Sequence, residues 1–168
     1  MSQENASTGP SIPVLVSLLA RREIEARIVG PLIDALSAEF GRARVLACVR
    51  EAIKALARGT GAELAQGGCT LAHFADALAL WKQDGALEME VLEQSPEKLS
   101  FNVTRCRYAE MYAALGLRDI GAVLSCNRDF SLVEGFNPSI RLTRTQTIME
   151  GAPHCDFRFV APEPEANR

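Results

Sequence analysis

Five cysteines and two histidines bound the chemistry open to this 168-residue sequence. The cysteines stand at positions 48, 69, 106, 126 and 155, and the histidines are His73 and His154. No GxSxG, P-loop, GxGxxG, HExxH or paired CxxC occurs, so the signatures of serine hydrolases, nucleotide binders and zinc proteases are absent. Thiol chemistry remains. A cysteine attacks as its thiolate, which forms near neutral pH only beside a cation or another stabilising group. Cys126 precedes Asp129, a candidate for proton transfer, by about one helical turn. It falls at the negative end of a short helix, so its thiolate needs Arg105, Arg128 or Arg144 close by. Cys155 alternates with Phe157 and Phe159 and therefore faces the core or a pocket. His154 and Asp156 then face the other way, which leaves His154 a candidate base only if the strand starts after it. Cys106 follows Arg105 and takes the opposite phase unless a helix has begun. Cys48 and Cys69 lie in a helical region and read as structural. Buried structural thiol is also the commoner state of any single cysteine. His73 fits a helix-surface or capping role. Cys106, Cys126 and Cys155, joined by His154, are the one set that zinc would use, at wide spacing. Otherwise no cofactor is expected.

Two arginines fall in phase with apolar strand faces. One face runs Leu99, Phe101, Val103 and then Arg105. The other runs Ile140, Leu142, Arg144, Gln146 and Ile148. A buried guanidinium needs an anionic partner, and its fork suits a carboxylate. One reading is a pocket at the end of a sheet that clamps a carboxylate ligand. The others are an internal ion pair with Asp119, Asp129 or Glu134, or strand ends exposed to water.

The elements that position these residues follow from the apolar period, which changes near residue 86 from helical to alternating. Residues 1–10 and 162–168 read as loose tails and 11–161 as a single domain, its helical half spanning 11–85 and its sheet half 86–161. Leu18, Leu19, Ile24 and Ile28 mark an opening helix that Gly30-Pro31 ends. Leu32, Ile33, Leu36 and Phe40 mark a second, up to Gly41. The clearest helix runs from Ala43 to Arg58 and stops at Gly59 and Gly61. Thr70 caps a helix carrying Leu71, Phe74, Leu78 and Trp81. Leu87–Val91 and Leu99–Val103 form a hairpin. Short helices cover Tyr108–Leu115 and Asp119–Cys126. Asn127–Pro138 reads as loop, and Ile140–Met149 and Cys155–Phe159 as strands. The expected fold class is α+β, an N-terminal helical layer packed on a small, mainly antiparallel sheet.

Hydrophobic residues make up 48% and charged residues 23%, as in ordinary folded proteins, and the net charge is −3. That balance disfavours nucleic acid or an acidic membrane surface as partner. No apolar run approaches the ~20 residues that span a bilayer. The segment MSQENASTGP lacks a basic region followed by an apolar core, so a cytoplasmic, reducing setting with free thiols is expected. The expected partner is a small anionic heterocyclic substrate, and a homo-oligomer is compatible with the sequence.

From about Phe101 to Phe159 the chain resembles the L-2-amino-thiazoline-4-carboxylic acid hydrolase family. The resemblance is carried by Phe101–Glu110, Ser125–Asp129, Gly135–Pro138, Leu142–Met149 and Gly151–Arg158. These blocks single out Arg105, Cys106, Cys126, Asp129, Arg144, Thr145, His154 and Cys155 as site candidates. The family name implies water addition to the C=N carbon of a small sulfur- and nitrogen-containing ring. The resulting expectation is a hydrolase that opens a carboxylate-bearing ring, with Cys126 or Cys155 as nucleophile, Asp129 or His154 as base, and Arg105 and Arg144 as clamp. Thr145 and Cys106 join the substrate-binding candidates. The alternatives are a metal-dependent hydrolase or zinc site on Cys106, Cys126 and Cys155, and a non-catalytic small-molecule-binding module.

Overall fold

The computed structural model describes residues 16–161, so both expected tails lie outside the described residues. Its helices are α1 (Leu18–Phe40), α2 (Arg42–Leu64), α3 (Leu71–Ala77), α4 (Arg107–Ala114), α5 (Arg118–Gly121) and α6 (Arg128–Phe136). Its strands are β1 (Leu87–Gln94), β2 (Lys98–Cys106), β3 (Arg141–Thr143) and β4 (Cys155–Val160). All pairings are antiparallel, in the order β1-β2-β4-β3. The protein is α+β, with its long helices first and the sheet after them.

Two expected helix ends are overrun. The chain stays helical through Gly30-Pro31, making α1 one helix of 23 residues. Pro31 and Arg27 are both exposed, so the Arg27 carbonyl that loses its helical donor lies on the water side. Gly30 is buried against Leu117, which a methyl group there would meet at 2.9 Å. Likewise α2 runs past Gly59 and Gly61. Gly61 marks a backbone crossing: a Cβ on it would lie 2.1 Å from the Leu132 carbonyl oxygen. From the other side, a Cβ on Gly135 would lie 2.0 Å from the Arg58 carbonyl oxygen. This close approach docks α6 on α2 and explains why residues 128–136, expected as loop, form a helix. Burial of Leu132, Val133 and Phe136 against the sheet outweighs the loop-forming residues around them.

The strand expected over 140–149 is cut short at Thr143. Beyond it the Asp156 carboxylate accepts the backbone N–H groups of Thr145 and Gln146, both at 2.9 Å. Those bonds replace the ladder, and a 3₁₀ turn over Ile148–Glu150 follows.

The core divides in two. One part stacks Phe101, Phe157 and Phe159 of the sheet under Phe74 and Phe136. The other joins Ala26, Ile33, Val45 and Ile53 to Tyr112, Ile120 and Met149. The inward row of α1 is thus Ala26, Gly30 and Ile33, whereas Ile24 and Ile28, expected to drive its burial, are exposed. Among the described residues no helix is long and apolar enough to cross a membrane.

Candidate active site

Between the two core clusters lies a cavity of about 630 Å³. Its floor is the sheet, through Val103, Cys106, Cys155 and Phe157, and α1, α2 and α6 supply much of its wall. Cys106, Cys126, Cys155, Asp129 and Arg144 all line it, while Arg105, Thr145 and His154 do not.

Arg144 continues inward past the end of β3, and its guanidinium, 9% exposed, pairs with the Asp129 carboxylate. A second donor reaches the Cys126 carbonyl at 3.2 Å. Phe130 and Phe157 flank the same group with ring centres at 5.1 and 5.3 Å. The internal ion pair anticipated for Arg144 and the pocket position therefore occur together.

Arg105 corrects the phase expectation. Glu88 pairs with Arg105 but Met89 with Val103, so Thr104 is an extra residue in β2. A bulge of this kind exchanges the faces of everything beyond it. Arg105 turns out to solvent, bound to Glu110 at 2.8 Å and Glu88 at 3.3 Å. Cys106 takes the inward position opposite Leu87. Arg105 is thus no clamp in this cavity. Thr145 is also displaced: its hydroxyl donates to Asp156 at 2.7 Å on an exposed site. Burial opposes charge on Asp156, but the Thr145 hydroxyl and the N–H groups of Gln146 and Thr145 outweigh it and hold the carboxyl below its ordinary value. His154 precedes β4, and its carbonyl accepts from the Gln146 side chain. The strand thus starts after His154, as its candidacy as a base required, but His154 does not line the cavity.

The three thiols share one environment, and it does not favour thiolate. Burial pushes Cys126 far up, and Asp129 adds to the rise against the pull of Arg144. Burial also raises Cys106 to about 11, although the N–H groups of Ala109 and Tyr108 at the start of α4 oppose it. Cys155 rises for the same first reason, offset in part by the Ile148 N–H, 3.2 Å from its sulfur. Burial drives the Asp129 carboxyl up to about 6, against the attraction of Arg144.

Sequence reasoning missed Arg22 and Glu25. Arg22 binds the Glu25 carboxylate at 2.7 Å, and Arg128 binds the same carboxylate at 3.1 Å while donating to the Leu124 carbonyl. Burial, then the neighbouring Arg22 charge, lowers the Arg128 pKa. Arg21, Arg22, Arg128 and Arg144 against Glu25 and Asp129 leave the cavity with surplus positive charge. The signal was present: Arg22 and Glu25 are in helical phase with Leu18, Ala26, Val29 and Ile33, the inward row of α1. Among the described residues no three His, Cys, Asp or Glu side chains converge to hold a metal ion, so the zinc set does not assemble there.

The family model for L-2-amino-thiazoline-4-carboxylic acid hydrolase matches residues 21–159. No curated protein matches the sequence. Solved structures share the fold at low identity. One is the phenol-responsive sensory domain of the transcription activator PoxR with phenol. It is 11% identical over 79% of this chain and 72% of that one, at a TM-score of 0.50. Another is a trafficking protein particle complex subunit 3 from Naegleria fowleri, covalently bound to palmitic acid. It is 12% identical over 86% of this chain and 96% of that one, at a TM-score of 0.52.

Proposed function

We propose that the protein, which belongs to the L-2-amino-thiazoline-4-carboxylic acid hydrolase family, opens a carboxylate-bearing ring at a carbon–nitrogen bond inside this cavity. The observation that carries the reading is Asp129. A buried carboxyl raised to about 6 is matched to taking and returning protons near neutrality. The surplus arginine charge supplies the complementary hold, with Arg22 and Arg128 receiving the substrate carboxylate. Water is the nucleophile this environment favours, because all three thiols are pushed up. Its oxygen bonds to the C=N carbon as Asp129 takes a proton. The ring nitrogen accepts both water protons through Asp129 as the carbon–nitrogen bond breaks, leaving a carbonyl and an open amine. Cys126 then shapes the site next to Asp129 rather than attacking.

The test is incubation with 2-amino-thiazoline-4-carboxylate, hydantoin and lactam carboxylates, read as mass gain of one water. Turnover is expected to vanish in Asp129→Asn with ligand affinity kept, and to persist in Cys126→Ser. Turnover lost in Cys126→Ser but kept in Asp129→Asn returns the nucleophile to the thiol. A second reading, a non-catalytic binding module, is favoured by the raised thiols and by the two solved structures of similar fold, one with phenol and one covalently bound to palmitic acid. Carboxylate binding with no mass gain on any ring supports that module.

A further inference from the structure

Folded proteins mostly place charge outside and apolar side chains inside, and this cavity reverses the order. Arg22 and Arg128 are 12% and 13% exposed within it, whereas Leu56, also on its wall, is 63% exposed. Val16 and Leu80 are exposed lining residues as well. The cavity therefore holds cationic charge at depth, and Val16, Leu56 and Leu80 give its mouth an apolar strip beside the exposed Arg21, Thr60 and Gln83. Arg22, Arg128 and Glu25 together retain one uncompensated positive charge, which a single carboxylate would neutralise.

Size points the same way. An amino-thiazoline carboxylate has about nine heavy atoms and fills on the order of 150 Å³, taking each as about half of a water's share. The cavity holds about 630 Å³. Water left along an apolar wall is displaced favourably by an apolar group. From these observations we infer that the substrate is an amphipathic carboxylate bound head-in. Its carboxylate sits at Arg22 and Arg128, and an apolar body runs along Leu64, Trp81 and Leu80 to the rim at Leu56. This rests on the cavity being the substrate site, and it narrows the substrate class to rings bearing an alkyl or aryl substituent.

Calorimetric titration of the full chain with hexanoate, octanoate, decanoate, decanol and 2-amino-thiazoline-4-carboxylate tests it. Affinity should rise about fourfold per added methylene, and decanol should bind at least about tenfold more weakly than decanoate. Arg128→Gln should abolish the preference for acid over alcohol while keeping the dependence on chain length. Leu80→Asp should flatten that dependence. Should either variant fail to fold, the acid, alcohol and chain-length comparisons on the unaltered protein still decide. Equal binding of decanol and decanoate overturns the head-in pose. Affinity independent of chain length, with the thiazoline bound or turned over, overturns the inference and leaves the proposed function standing. Failure of every carboxylate to bind sinks both.

Discussion

Arg144 and Arg105 hold matching places in the sequence, each the next residue on an apolar strand face, and the fold treats them oppositely. Arg144 is 9% exposed and locked to Asp129 between two phenyl rings, whereas Arg105 is 52% exposed and shared by Glu88 and Glu110. The cause is in the backbone. Past β3 the alternation of burial continues, with Arg144 sheltered between exposed Thr143 and Thr145, and carries Arg144 inward. In β2 the extra Thr104 shifts the phase by one and carries Arg105 outward. Phase therefore foretells direction only as far as a strand remains regular. The chemistry differs with it: one guanidinium works in a desolvated pocket where pairing is obligatory, the other in water where it is optional.

The largest effect should come from Arg144→Ala. It leaves the Asp129 carboxylate buried without its partner, a loss of about 3–5 kcal/mol in urea denaturation at pH 7.5. Replacing both partners, Arg144→Met with Asp129→Leu, should recover most of that loss, because two apolar side chains need no compensation. A loss in Arg144→Ala no larger than that of an exposed pair would erase the contrast with Arg105.

Asp129 should leave its own mark on pH dependence. Its folded pKa is raised from an ordinary 3.8 to about 6, so the folded chain binds this proton more tightly than the unfolded one. Its contribution to stability is thus fullest below about pH 4 and falls as pH rises to about 6, by on the order of 2–3 kcal/mol. Urea midpoints across pH 4–7 should show that fall, and Asp129→Asn should remove it. In the catalytic reading, turnover rises over the same interval as Asp129 becomes a base. A stability profile unchanged by Asp129→Asn would return this carboxyl to an ordinary surface-like value.

Residues with strong local signals were legible. The β1–β2 hairpin, the antiparallel sheet and the Thr70 cap, whose hydroxyl accepts the His73 N–H, all follow from alternation and capping chemistry. Arg144 and Cys155 were legible as site candidates because they stood in phase with apolar strand faces, and Cys126 and Asp129 because of their one-turn spacing. What stayed hidden depends on contacts distant in sequence. Gly61 reads as a helix end and Gly135 falls in an expected loop, yet they are where α2 and α6 touch. The outward Ile24 and Ile28 masked the inward row that carries Arg22 and Glu25. The Thr104 bulge has no marker of its own, such as glycine, and so Arg105 and Cys106 exchanged faces unseen.

Deleting Thr104 probes that bulge directly. Without it, Val103, Arg105 and Cys106 would oppose Met89, Glu88 and Leu87 in plain alternation, which preserves both outward Arg105 and inward Cys106. A modest loss, on the order of 1 kcal/mol, and slow iodoacetamide labelling of Cys106 are expected. Rapid labelling of Cys106 would mean that its burial depends on the bulge itself.

The smallest effect belongs to Arg105→Ala. Its partners Glu88 and Glu110 are at least half exposed, so water and salt replace the guanidinium when it is removed. The Glu110 carboxyl, held below its ordinary value chiefly by its hydrogen bond to Arg105, should return towards that value, a change that NMR titration of the side-chain carbon reads. The urea midpoint should stay within experimental error of the unaltered protein, in low salt and in high. Carboxylate affinity should also be unchanged, because Arg105 does not line the cavity. Arg144→Ala must lower the urea midpoint clearly for the contrast to hold. If Arg105→Ala instead weakens carboxylate binding, the ligand enters past the start of α4, and the mouth lies on the Arg105 side rather than at Leu56 and Leu80.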